Sequence, residues 1–335
     1  MHQLSRGGQA LLLALLALPC FLPAAAAQTP DPGVAVVGVD RQGPNLVTLV
    51  AAVRPPSGAR GDRAVPSFRV VEEGQVQPDE AQRVPANRLE VALLLDLPED
   101  EPSAQSAIRG AAVEFLLQLP DTARVAVVGG ETPGAAELTA PATAIVQVGE
   151  VAEGPQRMVR DGVRSAATLQ REDDENRRVV VAVSANPDPA SRRSVQSAAN
   201  DLAAAGAAFY GVVFEQTEGN RAALDGLAEA AGGEVLVAAQ AAELVSVYDR
   251  IARDLTNLYE VAYEPAAAGR SAVSLAVEST GFRAEVTRTV PAQSGTALDL
   301  SRGDGDGTAT ETARNPATQA SGSGLLAPAL AVVAG

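Results

Sequence analysis

The sequence has no tryptophan and no lysine, and all 26 of its basic residues are arginine. Its single histidine, His2, and single cysteine, Cys20, both fall in the first 27 residues. That stretch has an early cation at Arg6, an apolar core over 10–18 and Ala25-Ala-Ala27 before Gln28, the pattern of a secretory signal cleaved after a small residue. The mature chain then holds neither residue, and each absence removes a class of chemistry. Without histidine there is no ordinary general base near neutral pH. Without cysteine there is no thiolate, no disulfide and no soft metal ligand, and without lysine no Schiff-base amine. Carboxylates, hydroxyls and guanidinium groups remain. The net charge of −15, with no basic stripe, argues against a nucleic-acid partner, because neutralising phosphates requires a cationic face.

Long apolar runs are present, and Val91-Ala-Leu-Leu-Leu-Asp-Leu-Pro98 organises the rest. A run apolar on both faces suits a central parallel strand covered by helices on each side, and ligands of such sheets gather at the carboxyl ends of the strands. Asp96 stands at that end. Pro102 opens a helix whose apolar positions Ile108, Ala111, Ala112, Phe115, Leu116 and Leu119 recur every three or four residues until Pro120. Strands are expected at 123–129, 179–183, 209–214 and 235–237, an edge strand at Thr143–Val148, and helices at 156–170, 190–205, 221–231 and 241–258. Arg171–Arg178 reads as a charged surface loop.

On either side the period is two. Val34–Val39, Leu46–Val53 and Phe68–Val71 precede the alternating region, and Tyr259–Tyr263, Val273–Val277 and Phe282–Val290 follow it. Each set alone is short of partners. The expected fold is therefore α/β: a Rossmann-like, doubly wound, mostly parallel sheet over 91–258, inserted in a small β-sandwich formed by flanking strands from 28–90 and 259–291. Residues 292–323 read as a disordered linker, and 324–335 as an apolar tail or the start of a transmembrane helix. Arg60-Gly-Asp62 and the glycine/aspartate run 302–307 read as loop and linker; the latter lacks the acid that a calcium loop needs at position 315, which is Asn315.

A buried strand ending in Asp96, a short loop into a helix, a second buried strand near 180 and a closing helix together resemble the von Willebrand factor A family, over about 89–257. Phe68-Arg-Val-Val-Glu-Glu-Gly74 and Tyr259-Glu-Val-Ala-Tyr-Glu-Pro265 are similar to secreted bacterial members. The order of signal, A domain, linker and apolar segment is similar to the extracytoplasmic front of actinobacterial proteins of the type II secretion system F family. The resemblance implies a metal-ion-dependent adhesion site, in which Asp-x-Ser-x-Ser, a threonine and a second aspartate hold Mg²⁺. Here the first aspartate is Asp96, the two serines fall on Pro98 and Asp100, and the second aspartate falls near Ala185. The expectation is a degenerate site with no metal or cofactor; an Mg²⁺ ion would have to be held by Asp96, Asp100 and Asp188, with Glu99 in reach.

Together these readings imply a non-enzymatic, extracytoplasmic adhesion or assembly module. Its protein partner would meet the top of the sheet at Leu97, Pro98, Glu99, Asp100, Asn186 and Asp188, with membrane attachment through the C-terminal apolar segment. A structural subunit of a cell-envelope secretion or pilus apparatus is the alternative. A nucleotide-binding enzyme fits less well, because the turn after Asp96 has no glycine and three carboxylates where a phosphate would need backbone N–H groups.

Overall fold

The computed structural model describes residues 33–292 apart from 42, 57–65, 130–135, 153–158, 170–174, 186–187, 189–190, 215–217, 267–268 and 280, and the backbone alone of 218–220. The expected signal segment, the Arg60-Gly-Asp62 loop, residues 293–323 and the apolar tail lie outside the described residues. The elements in chain order are β1 (Gly33–Arg41), β2 (Val47–Arg54), β3 (Ser67–Glu72), β4 (Gln75–Gln77), β5 (Asp79–Arg83), β6 (Leu89–Asp96), α1 (Pro102–Gln118), β7 (Arg124–Gly129), α2 (Pro141–Glu150), α3 (Val159–Ala167), β8 (Arg177–Ser184), α4 (Val195–Ala204), β9 (Ala208–Phe214), α5 (Glu218–Ala231), β10 (Glu234–Ala238), α6 (Ala241–Thr256), β11 (Leu258–Tyr263), β12 (Ser271–Ser279) and β13 (Phe282–Val290). Among the described residues no helix is long and apolar enough to cross a membrane.

The central sheet runs β10-β9-β8-β6-β7 and is parallel throughout. Successive residues of β6 feed opposite cores. Val91, Leu93 and Leu95 pack with α1, α2 and α6, while Ala92 and Leu94 pack with α3, α4 and α5. Two-sided cover is why the strand carries no polar alternation. From β6 the chain goes outward to β7 and then crosses to β8 on the other side. The strand order therefore reverses at the carboxyl ends of β6 and β8, which is where open α/β sheets place their ligands.

The flanking strands form two antiparallel sheets, β1-β2-β11-β5 and β13-β12-β3-β4, and each sheet combines strands from before β6 with strands from after α6. They face each other across Val36, Leu49, Ala51, Val261, Leu275 and Val277, with the Phe68 and Tyr259 rings 5.3 Å apart. This is the α/β unit within a β-sandwich that the residue periodicities imply. The sheet containing β1 and β2 is a middle layer. Val34 and Val36 face the sandwich, whereas Ala35 and Val37 join the α/β core. The two layers touch closely at Gly38, where a Cβ would lie 2.8 Å from the Ala208 Cα, so only glycine fits there.

The amino ends of the parallel strands are tied to this middle layer by charge. Arg54 of β2 reaches Asp254 of α6 and Glu234 of β10, each at 2.6 Å. Tyr210 of β9 donates to the same Asp254 at 3.2 Å. Arg177 of β8 bonds Glu260 of β11 at 2.7 Å and the Gly206 carbonyl at 2.6 Å, and lies 3.5 Å from Asp40 of β1. Arg178 and Glu90 pair at 2.6 Å and are each 1 % exposed.

Two expectations are corrected here. Arg177 and Arg178 do not belong to a surface loop: they are the buried first residues of β8, because Glu260 and Glu90 wait opposite them. Thr143–Val148 is not an edge strand but the middle of α2. Pro141 starts that helix, and Pro141, Ala144 and Val148 recur at helical spacing on its buried face. The open edge of β7 is met instead by Thr139, which exchanges backbone bonds of 2.7 and 2.8 Å with Val125.

Candidate functional site

The reversal of strand order puts Asp96 and Ser184 opposite each other at the ends of β6 and β8. Asp96 is 2 % exposed, and the Ser184 hydroxyl donates to its Oδ2 at 2.9 Å. The next residue, Leu97, is 3 % exposed and lies in the core shared with α1, and Pro98 is also buried. Gln105, on the first turn of α1, is itself buried. Its amide donates to the carbonyls of Pro98 at 2.7 Å and Glu99 at 3.2 Å, so the helix holds the loop from beneath. Only Glu99 and Asp100, at the tip, are exposed. Leu97 and Pro98 thus shape the loop from inside rather than offering a partner surface.

Asp188 serves the neighbouring loop. Its carboxylate accepts from the Arg160 Nε at 2.9 Å, the Arg160 backbone N–H at 3.0 Å and the Ser191 hydroxyl at 2.7 Å, while the Arg160 guanidinium also donates to the Asp188 carbonyl at 2.8 Å. With its side chain 4 % exposed, Asp188 pins the loop after β8 to the start of α3. Ala185 is buried and offers no side-chain oxygen. Asn186 lies outside the described residues.

A hard divalent cation needs several convergent oxygens. Asp96 and Ser184 are two, but they bond to each other. Pro98 supplies no side-chain oxygen, Glu99 and Asp100 are exposed at the loop tip, and Asp188 is engaged with a guanidinium. Among the described residues no group of three or more His, Cys, Asp or Glu side chains is placed to hold a metal ion. The described residues therefore do not fit the Mg²⁺ site that the family resemblance implies.

Ser184, Gln105 and Arg160 were not foreseen as parts of the site. Ser184 carries a readable signal, since it is the last residue of the strand beside β6. Gln105 and Arg160 carry none, because a polar residue on an early helical turn is ordinarily solvated. Arg54 and Tyr210, at the opposite end of the sheet, have shifted ionisations. Burial alone would lower the Arg54 guanidinium, but the bond to Asp254 and the charges of Asp254 and Glu234 outweigh it and raise its pKa. The Tyr210 hydroxyl is pushed well above its ordinary value by burial, and further by Asp254 and Glu234.

The order reversal, the two-sided helical cover and the interleaved flanking strands define a Rossmann-like α/β protein carried on a β-sandwich. No family model and no curated protein matches the sequence. Among solved structures the chain is similar to a von Willebrand factor type A protein from Catenulispora acidiphila, at 11% identity and a TM-score of 0.46, over 79% of this chain and 75% of that one. It is also similar to proximal thread matrix protein 1 from the mussel byssus, at 12% identity and a TM-score of 0.43, over 56% of this chain and 51% of that one. A third likeness is to the von Willebrand factor domain of the type V pili tip protein Mfa5 from Porphyromonas gingivalis, at 10% identity and a TM-score of 0.42, over 51% of this chain and 95% of that domain. At these identities and TM-scores the likenesses carry nothing about activity or partners.

Proposed function

We propose that the chain is a von Willebrand factor A-type module that binds a protein outside the cytoplasm, without a metal ion and without catalysing a reaction. The observation that supports this reading best is the closed loop after β6. Its carboxylate is held by Ser184 and its carbonyls by Gln105, so the loop is a rigid base that presents the acidic tip Glu99-Asp100 at the switch point of the sheet. Loops at this end vary freely because the scaffold beneath them does not depend on them. The residue inventory agrees, since the segment carries hydroxyls and carboxylates but no histidine, cysteine or lysine.

Titration calorimetry with Mg²⁺, Mn²⁺ and Ca²⁺ on the chain and on Asp96→Ala tests the metal half. No heat in either is expected, and micromolar binding lost in the variant would overturn it. Capture of partners from a cell-envelope extract by the chain and by a Glu99→Arg/Asp100→Arg variant tests the other half. A partner lost with the charge reversal is expected, and an unchanged set of bound proteins would remove the loop as the contact.

A further inference from the structure

A cleft of about 880 Å³ opens between α3 and α4, and none of its described lining residues belongs to the Asp96 loop. Arg164 projects into it from α3, and Arg192 and Arg193 line it from the segment that leads into α4. In an acidic chain whose buried arginines are all engaged by carboxylates or carbonyls, this gathering of cations stands out. Arg193 is satisfied by Asp201 at 2.6 Å and the Ser197 hydroxyl at 2.7 Å. Among the described residues, the side chains of Arg164 and Arg192 have no hydrogen-bond or ion-pair partner. Both are exposed. Asp161, the one carboxylate among the described lining residues, accepts the backbone N–H of Arg192 at 3.1 Å, which orders the segment that presents the guanidinium. Ser194 caps α4 by accepting from the Ser197 N–H at 3.1 Å and keeps its own hydroxyl hydrogen for a ligand.

We propose that this cleft binds a phosphate group. The guanidinium forks of Arg164 and Arg192, one from α3 and one from the segment before α4, match the oxygens of a tetrahedral dianion, which each can grip in bidentate fashion. The Ser194 hydroxyl and the amino end of α4 add neutral donors from the same wall. The site does not involve Asp96, so it stands or falls independently of the protein-binding reading.

The group could arrive as free phosphate or on an anionic lipid, and two arms separate these. The full chain and Arg164→Gln/Arg192→Gln are titrated with inorganic phosphate, with chloride at matched ionic strength as control, and are floated with phosphatidylglycerol-containing and phosphatidylcholine vesicles. Phosphate binding weakened more than about tenfold in the double variant supports a free phosphate ligand, on the scale of losing two charge-assisted bonds. Flotation only with phosphatidylglycerol, lost in the variant, supports the lipid headgroup. Arg164→Lys/Arg192→Lys should bind with intermediate strength, because it keeps the charge and loses the fork. A response to neither probe, or the same response in the Gln variant, overturns the proposal. Both arginines are exposed and unpaired among the described residues, so an unchanged unfolding midpoint of the variants certifies the comparison.

Discussion

The two ends of the parallel sheet are built on opposite plans. At the amino ends of the strands, Arg54 and Arg177 pair with Asp254 and Glu260 and tie the α/β unit to the β-sandwich, while the buried pair of Arg178 and Glu90 joins β8 to β6 within the parallel sheet. At the carboxyl ends the bonds hold loops: Ser184 to Asp96, Gln105 to the loop carbonyls, Arg160 to Asp188. The first plan joins strands and layers through charge, and the second stiffens individual loops. The difference teaches that charged pairs hold the amino ends of the sheet, whereas at the carboxyl ends the polar bonds fix loops and leave the tip Glu99-Asp100 exposed.

The largest break in that contrast is expected at Arg178. Arg178→Ala leaves Glu90 buried without its cation and should cost about 3–5 kcal/mol, whereas Arg178→Met with Glu90→Leu should recover most of it. Urea unfolding of the three proteins checks both halves, and a single variant as stable as the parent would erase the difference between the ends.

Alkaline titration comes next. The hydroxyls of all four tyrosines, Tyr210, Tyr248, Tyr259 and Tyr263, are raised, in each case chiefly by burial. A group that ionises less readily when folded contributes stability that is complete below its unfolded pKa, near 10, and is lost as the pH climbs toward the folded value. Stability should therefore be insensitive to tyrosine ionisation below about pH 10 and fall above it. The phenolate absorbance should appear together with loss of circular dichroism; phenolate rising while the fold persisted would contradict the burial of these rings.

At the carboxyl end, Ser184→Ala leaves the buried Asp96 short of a donor and should cost about 1–3 kcal/mol, less than Arg178→Ala. A cost equal to that of Arg178→Ala would place the two ends on the same footing. The smallest effect is expected at the tip: Glu99→Ala with Asp100→Ala should move stability by no more than about 0.5 kcal/mol, measured by thermal unfolding, because both side chains are exposed.

Legibility in the sequence follows the same division. The two-sided apolar run of β6 and the helical period of α1 are local patterns, and both elements stand where those patterns put them. Arg177 and Arg178 are not legible, because a charged run reads as solvated unless its buried counter-ions, 83 and 88 residues away, are known. Thr143–Val148 misleads through its β-branched residues, which local propensity favours as strand, while packing against α1 decides for helix. At the candidate site Asp96 is legible as a strand-end carboxylate. Its bond to Ser184 depends on β8 lying beside β6, and the engagement of Asp188 by Arg160 depends on α3 folding back over the loop.

By itself the sequence determined the two-sided strands, the start of α1 at Pro102 and the period-two character of the flanking strands, since these rest on residue type and short-range period. Only the tertiary structure decided which charges are buried, which residues of the Asp96 loop face the core, and that Arg164 and Arg192 line one cleft. Burial and charge pairing are set by residues far apart in the chain, and no local pattern records that distance.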